Sequence, residues 1–210
     1  MSRQLRYHVA MSLDGFIAGP NGEYDWIVQD PSVDFAALFK EFDTAVMGRK
    51  TYDIVRAHFG GGSLPGLDVI VFSRTLSASK RGRVRVLNAD PRRVVAELKS
   101  KPGRSIWLFG GGDLFRYLLD GGLVDAVEVA VIPVLLGSGI PVIPPGAQAK
   151  LVLAHQKVLP ASGIVVLSYG LPGAATPPPI RYVESATATK RGRKTSAVNR
   201  GNQKKGRRNK

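Results

Sequence analysis

Apolar positions along this chain recur with two periods, and the period changes from segment to segment. Leu5–Leu13 alternates loosely, as a half-buried strand does, and Asp14-Gly15 ends it. Thr44–Met47, Asp68–Phe72, Val84–Leu87, Ser105–Phe109 and Val124–Ile132 are short, mainly apolar runs of buried-strand type. Helical spacing lies between them. Phe35, Leu38, Phe39 and Phe42 share one face after Pro31-Ser32, and Tyr52–Ala57 opens a second helix. A third helix starts at Asp90-Pro91, with proline in its first position, and runs through Leu98. Leu114, Phe115, Leu118 and Leu119 mark a fourth. Leu151–Leu159 and Ile164–Tyr169 read as a terminal strand pair turning at Pro160–Gly163. Gly19–Gly22, Gly60–Gly66 and Pro133–Pro145 read as loops.

Strand and helix alternate through residue 132, and two strands follow. This order predicts an α/β protein of three layers, α/β/α, with a mostly parallel sheet closed by C-terminal antiparallel strands. From Pro172 the composition shifts to Pro, Ala and Thr, then to Lys, Arg, Gly and Asn. The expected division is therefore a folded domain over residues 1–171 and a linker with a disordered basic tail over 172–210.

Composition narrows the chemistry. The 210 residues are 44% hydrophobic and 22% charged, a globular balance. The absence of cysteine removes disulfides, thiolate metal sites and a cysteine nucleophile. The three histidines, His8, His58 and His155, are too far apart in sequence for metal-ligand spacing. No leader-type or membrane-spanning apolar run appears, so a soluble cytoplasmic protein without membrane contact is expected. The net charge of +14 is unevenly placed: residues 190–210 carry ten Lys or Arg and no acid, which leaves a net of +4 on the rest. That segment could make weak, salt-sensitive, non-specific contact with nucleic acid. No aromatic residue is interleaved after Tyr182, which argues against a dedicated single-strand binder.

Three strand ends carry distinctive residues, and ligands of parallel sheets bind beyond those ends. Gly48-Arg49-Lys50-Thr51 offers a backbone turn, two cations and a hydroxyl at a helix start. Ser73-Arg74 offers a hydroxyl and a guanidinium, a combination suited to a phosphate monoester. Gly110-Gly111-Gly112, followed by Asp113 and Leu114, offers bare backbone at a helix N-terminus, suited to a pyrophosphate. A ligand with a pyrophosphate and a separate phosphate would use all three, and NADPH has that layout. Taken alone, the glycine cluster reads equally as a tight turn without a ligand, and Arg49, Lys50 and Arg74 each read more readily as solvated surface charges; three such ends in one parallel sheet favour the ligand.

Together these segments resemble a known family. MGRKTY (Met47–Tyr52), VFSRT (Val71–Thr75) and WLFGGGDLF (Trp107–Phe115) resemble the three cofactor segments of dihydrofolate reductase. MSLDGFIA (Met11–Ala18), the pair Trp26-Ile27 and IPVLLGSGIPV (Ile132–Val142) resemble the reductase domain of the bifunctional riboflavin deaminase–reductase. The matches span about residues 5–170 and identify a member of the dihydrofolate reductase-like superfamily on its riboflavin-reductase side.

The resemblance implies NADPH as cofactor, a small-molecule substrate and a homodimer. It implies Ala10 by the nicotinamide, Trp26 packed on the cofactor, and Gly48, Arg49, Lys50 and Thr51 at the pyrophosphate. Ser73 and Arg74 would hold the 2′-phosphate. Gly110, Gly111, Gly112, Asp113 and Leu114 would meet the pyrophosphate from the other side. The implied reaction is hydride transfer to a C=N bond of a ribosylaminopyrimidine phosphate, with dihydrofolate as the alternative. Two departures matter. Phe109 stands where the riboflavin reductase has an acid, and GRKTY replaces its D-D-P-x-L-T segment. Asp34 is the nearest match to the acid of dihydrofolate reductase, and a charge favoured at a helix N-terminus is its competing role.

Overall fold

The computed structural model describes residues 3–58 and 60–180. The basic segment 190–210 therefore lies outside the described residues. In chain order the elements are β1 (Leu5–Ser12), β2 (Phe16–Ala18), α1 (Phe35–Lys40), β3 (Phe42–Gly48) and α2 (Arg49–His58). Next come β4 (Asp68–Phe72), β5 (Ser79–Arg81), β6 (Val84–Leu87), α3 (Pro91–Ser100), β7 (Ser105–Gly110) and α4 (Gly112–Asp120). β8 (Ala126–Ile132), β9 (Ile140–Pro141), β10 (Val152–Leu159) and β11 (Ile164–Gly170) complete the described fold.

Nine strands form one sheet in the order β10-β11-β8-β1-β7-β3-β4-β6-β5. The six from β8 to β6 are parallel, and β10, β11 and β5 run antiparallel to their neighbours. This is the expected mostly parallel sheet closed by antiparallel strands at its C-terminal edge. Alternate residues of each strand face opposite layers. Tyr7, Ile106 and Leu108 pack with α3 and α4 through Val95, Leu114, Phe115 and Leu118. Ala45, Met47 and Trp107 pack with α1 and α2 through Leu38, Tyr52 and Val55.

Several sequence expectations shift in detail. Phe42 belongs to β3 and not to the α1 face. The Glu41 amide closes α1 onto the Leu38 carbonyl, and Phe42 then pairs with Ser105. Arg49 is the first residue of α2, so the expected strand exit is itself the first helical turn. β9 lies in the Pro133–Pro145 segment expected to be loop, and β5 had no counterpart in the sequence reading. β5 is a three-residue polar hairpin arm, and β9 pairs with β2 inside the Gly/Pro-rich loop.

Beyond the boundary expected at residue 172, the chain runs back along the sheet. Gln4 Nε2 donates to the Ala175 carbonyl (2.6 Å), and His155 Nε2 donates to the Pro177 carbonyl (2.9 Å). Ile180 packs against the cluster of Ile132, Leu159, Ile164 and Val166. No helix among the described residues is long and apolar enough to cross a membrane.

Candidate functional site

β3 and β7 are neighbours, yet their following helices leave on opposite sides of the sheet: α2 packs on one face and α4 on the other. A crevice opens where connections diverge in this way, beyond the strand ends. The strand register places the expected segments side by side along it. Met47 pairs with Gly110, and Gly48 pairs with Phe72, the residue before Ser73.

The glycine turn has a distinct requirement at each position. Gly110 has φ +140, a conformation that side chains rarely adopt, and the Gly110–Gly111 peptide is cis. A Cβ on Gly112 would lie 2.8 Å from the Pro141 carbonyl oxygen, so this glycine lets the 133–145 loop cross over α4. Gly111 is different: a Cβ there would meet only Thr51 Oγ1, at 3.6 Å, and one on Gly48 would meet nothing within 4 Å. Gly111 is also the N-cap of α4 and supplies no capping side chain. The first amides of α4 thus have no side-chain acceptor at the cap, and the helix dipole adds positive potential there. Asp113 is exposed in the first turn, and Leu114 is buried beneath it.

The cations divide into braced and free. Arg49 Nε donates to Asp53 Oδ2 (2.6 Å), and its Nη1 donates to Thr75 Oγ1 (3.2 Å), tying α2 to the turn after β4. Ser73 is buried, and its Oγ accepts the Thr75 and Leu76 amides at 3.1 and 2.9 Å. Its hydroxyl therefore shapes the turn that presents Arg74. Asn88 Nδ2 secures the same turn by donating to the Ser73 and Leu76 carbonyls. Lys50 and Arg74 are exposed and form no hydrogen bond or ion pair among the described residues. Thr51 is half-buried beside the glycine turn.

On the α1 side of the sheet, Ala10 and Trp26 come together in one cluster with Ala130 and Val166. Trp26 is half-buried, and its Nε1 donates to the Glu23 carbonyl (3.0 Å). The loop that carries it is anchored by Asp30, whose Oδ2 accepts Ser162 Oγ at 2.6 Å. Asp34 caps α1: its Oδ1 accepts the Ala37 amide at 2.8 Å. That is the helix-terminal role named above as the competitor to catalysis. Opposite, Asp14 ties the β1 exit to the 133–145 loop by accepting Ser12 Oγ and the amides of Leu136 and Gly137. The Ser12 hydroxyl and these two amides hold its carboxyl below the usual value.

Two groups of residues escaped the sequence reading. An aromatic cluster lies under α1, in which Trp107 contacts Phe39, Phe42 and the half-buried Phe109. Beside it is a buried ionic network. Glu128 is 0% exposed and accepts Arg6 Nη2 (2.8 Å), Arg6 Nε (3.1 Å) and Ser168 Oγ (3.3 Å). His8 Nδ1 lies 3.3 Å from Glu128 Oε2, the oxygen that also accepts Arg6 Nε. Arg6 Nη1 reaches Glu41 Oε2 at 2.6 Å, and its guanidinium sits over the Phe42 ring. Burial pushes the Glu128 carboxyl up, but the hydrogen bond and charge of His8, with Arg6, outweigh burial and hold it below the usual value. Opposite charges in the middle of two apolar strands, Arg6 and Glu128, were the available signal.

Similarity to known proteins follows the same outline. The profile of the RibD C-terminal domain matches residues 65–165. Uncharacterized protein YyaP of Bacillus subtilis is 33% identical over 150 residues, which cover 66% of this chain and 79% of YyaP. A Shewanella sp. PV-4 protein, provisionally named for riboflavin biosynthesis, superposes with a TM-score of 0.68 at 26% identity, over 81% of this chain and 99% of that one. Dihydrofolate reductase from Enterococcus faecalis, solved with NADP(H) and RAB-propyl, superposes with a TM-score of 0.61 at 18% identity, over 82% and 99% of the two chains, a likeness of fold. The chain belongs to the RibD C-terminal domain family and has the dihydrofolate reductase-like fold.

Proposed function

We propose that the protein is an NADPH-dependent reductase of a pyrimidine- or pterin-like small molecule. The observation that carries this reading is the alignment of three strand ends along one crevice. Gly48, Gly111 and the start of α4 offer backbone, while Lys50 and Arg74 offer charge that no partner among the described residues consumes. Bound there, NADPH would supply a hydride, the hard part of the chemistry. The chain's own work is placement. The α4 amides and Lys50 would hold the pyrophosphate, and Thr51 would border it. Arg74, presented by the Ser73 turn and the Arg49 brace, would hold the 2′-phosphate. The nicotinamide end would lie by Ala10, with Trp26 closing that side against water. Positioning of two reactants can supply much of the barrier reduction. Action in the cytoplasm and a homodimeric state belong to the same proposal. A weak contact of residues 190–210 with nucleic acid is proposed on their charge alone.

The substrate proposed first is the imine form of a ribosylaminopyrimidine phosphate, with dihydrofolate second. Loss of absorbance from reduced nicotinamide, followed with each compound, decides between them. Turnover of neither, despite tight NADPH binding, would reject both substrates.

The glycines separate folding from binding. Gly112→Ala is expected to destabilise the protein by about 1–3 kcal/mol, because the new methyl collides with backbone at Pro141. Gly111→Ala has room in the folded protein and is expected to leave stability unchanged within about 1 kcal/mol. Its methyl would lie in the path of the pyrophosphate and weaken NADPH by about 1–3 kcal/mol. Thermal melts and NADPH titration of both variants check this. Unchanged NADPH affinity for Gly111→Ala would remove the glycine turn from the site.

A further inference from the structure

His8 stands on the α1 side of β1, two residues before Ala10, and successive side chains of a strand alternate faces. It therefore shares a face with Ala10, about 7 Å away along the strand. Its neighbours are fixed. Nδ1 meets Glu128 Oε2 at 3.3 Å, and the Trp107 indole N–H donates to the His8 backbone carbonyl at 2.9 Å. The ring also lies edge-on to Trp107. Nε2 forms no hydrogen bond or ion pair among the described residues, and the side chain keeps 14% exposure while Glu128 and Arg6 keep none.

Among the described residues, the charged groups around His8 are few. Glu128 faces it from β8, and Arg6 lies on its own strand, paired with both Glu128 and Glu41 at the end of α1. β11 contributes only the Ser168 hydroxyl, and β7 only aromatic rings. A carboxylate held ionised on one ring nitrogen orients the imidazole and favours a proton on that nitrogen, leaving the other for a ligand.

We propose that His8 is the catalytic residue that contacts the substrate ring and delivers the proton, with Glu128 as its positioning residue; this rests on the reductase reading above. Bound NADPH would supply the imine carbon with a hydride and its electron pair. The C=N π pair would move to nitrogen, which would take the Nε2 proton of a His8 protonated on both ring nitrogens. The Nδ1 proton stays on the Glu128 side, and Nε2 recovers its proton from solvent. This assigns the proton to a strand residue, whereas Asp34 is occupied in capping α1.

Imidazole nitrogen spectra of the ¹⁵N-labelled full chain test this, because three histidines give three ring systems and His8→Gln assigns the first. The expected neutral His8 carries its proton on Nδ1, whereas His155 carries it on Nε2, where it donates to Pro177. The probe is 5,6-diaminouracil, added with and without saturating NADP⁺. It is expected to shift the His8 Nε2 resonance, since the probe would contact that nitrogen. His155 should not respond. His8→Gln should weaken the probe by about tenfold, as for one lost hydrogen bond, while NADPH affinity stays the same. Glu128→Gln should lose the Nδ1–H preference.

A neutral His8 protonated on Nε2, or no response of His8 to the probe, would overturn the proposal, and the wild-type spectra decide even if a variant does not fold. A His8 response without any NADPH binding would keep His8 as a ligand contact, overturn the hydride-coupled proton transfer, and reject the reductase reading separately.

Discussion

Glu128→Gln is expected to lower stability by about 3–5 kcal/mol, because it leaves the fully buried Arg6 guanidinium without its two-pronged partner. Glu41 cannot stand in, since it already occupies Arg6 Nη1. For a domain of this size the melting temperature should fall by roughly 6–20 °C. The same pair sets an acid limit. Burial raises the Glu128 carboxyl, and His8 and Arg6 lower it by more, so the folded value lies below the unfolded one. The stabilisation is therefore complete above the unfolded value of about 4.3 and is lost as pH falls through the folded value. Melts of wild type and variant between neutral and acid pH check both points. A loss below about 1 kcal/mol would mean that the network adds little to stability.

The second large effect concerns cofactor choice. Arg74→Ala is expected to weaken NADPH by about 1–3 kcal/mol and to leave NADH nearly unchanged, because a charge-assisted contact to the 2′-phosphate is lost. Arg74 is the residue to test because its guanidinium has no hydrogen bond or ion pair among the described residues, whereas Arg49 is bound to Asp53 and Thr75. Arg49→Ala should instead affect the two cofactors alike, through the turn it braces. Equal losses of NADPH and NADH in Arg74→Ala would place the 2′-phosphate elsewhere.

The parallel core was legible because buried strands such as Asp68–Phe72 and Ser105–Phe109 are continuous apolar runs. The candidate cofactor crevice was legible for a related reason: its glycines and cations fall at strand ends, where a sequence shows a change of period. β5 and β9 were not legible. Ser79–Arg81 is entirely polar, and Ile140–Pro141 is too short to show any period. Phe42 kept helical spacing with Phe35 and Phe39, so only its pairing with Ser105 assigns it to β3. The role of Ser73 was hidden as well, because a hydroxyl beside an arginine suits a phosphate and a turn cap equally. The ionic network was the largest omission. Arg6, His8, Glu128 and Ser168 come from three strands, and only the register of β1, β8 and β11 joins them.

The most direct test of NADPH use is a fluorescence titration of the full chain with NADPH and, separately, NADH. Saturable binding with clear preference for NADPH, weakened by Gly111→Ala and by Arg74→Ala, is the expected result. No saturable binding of NADPH by the folded wild-type protein would contradict the proposed function.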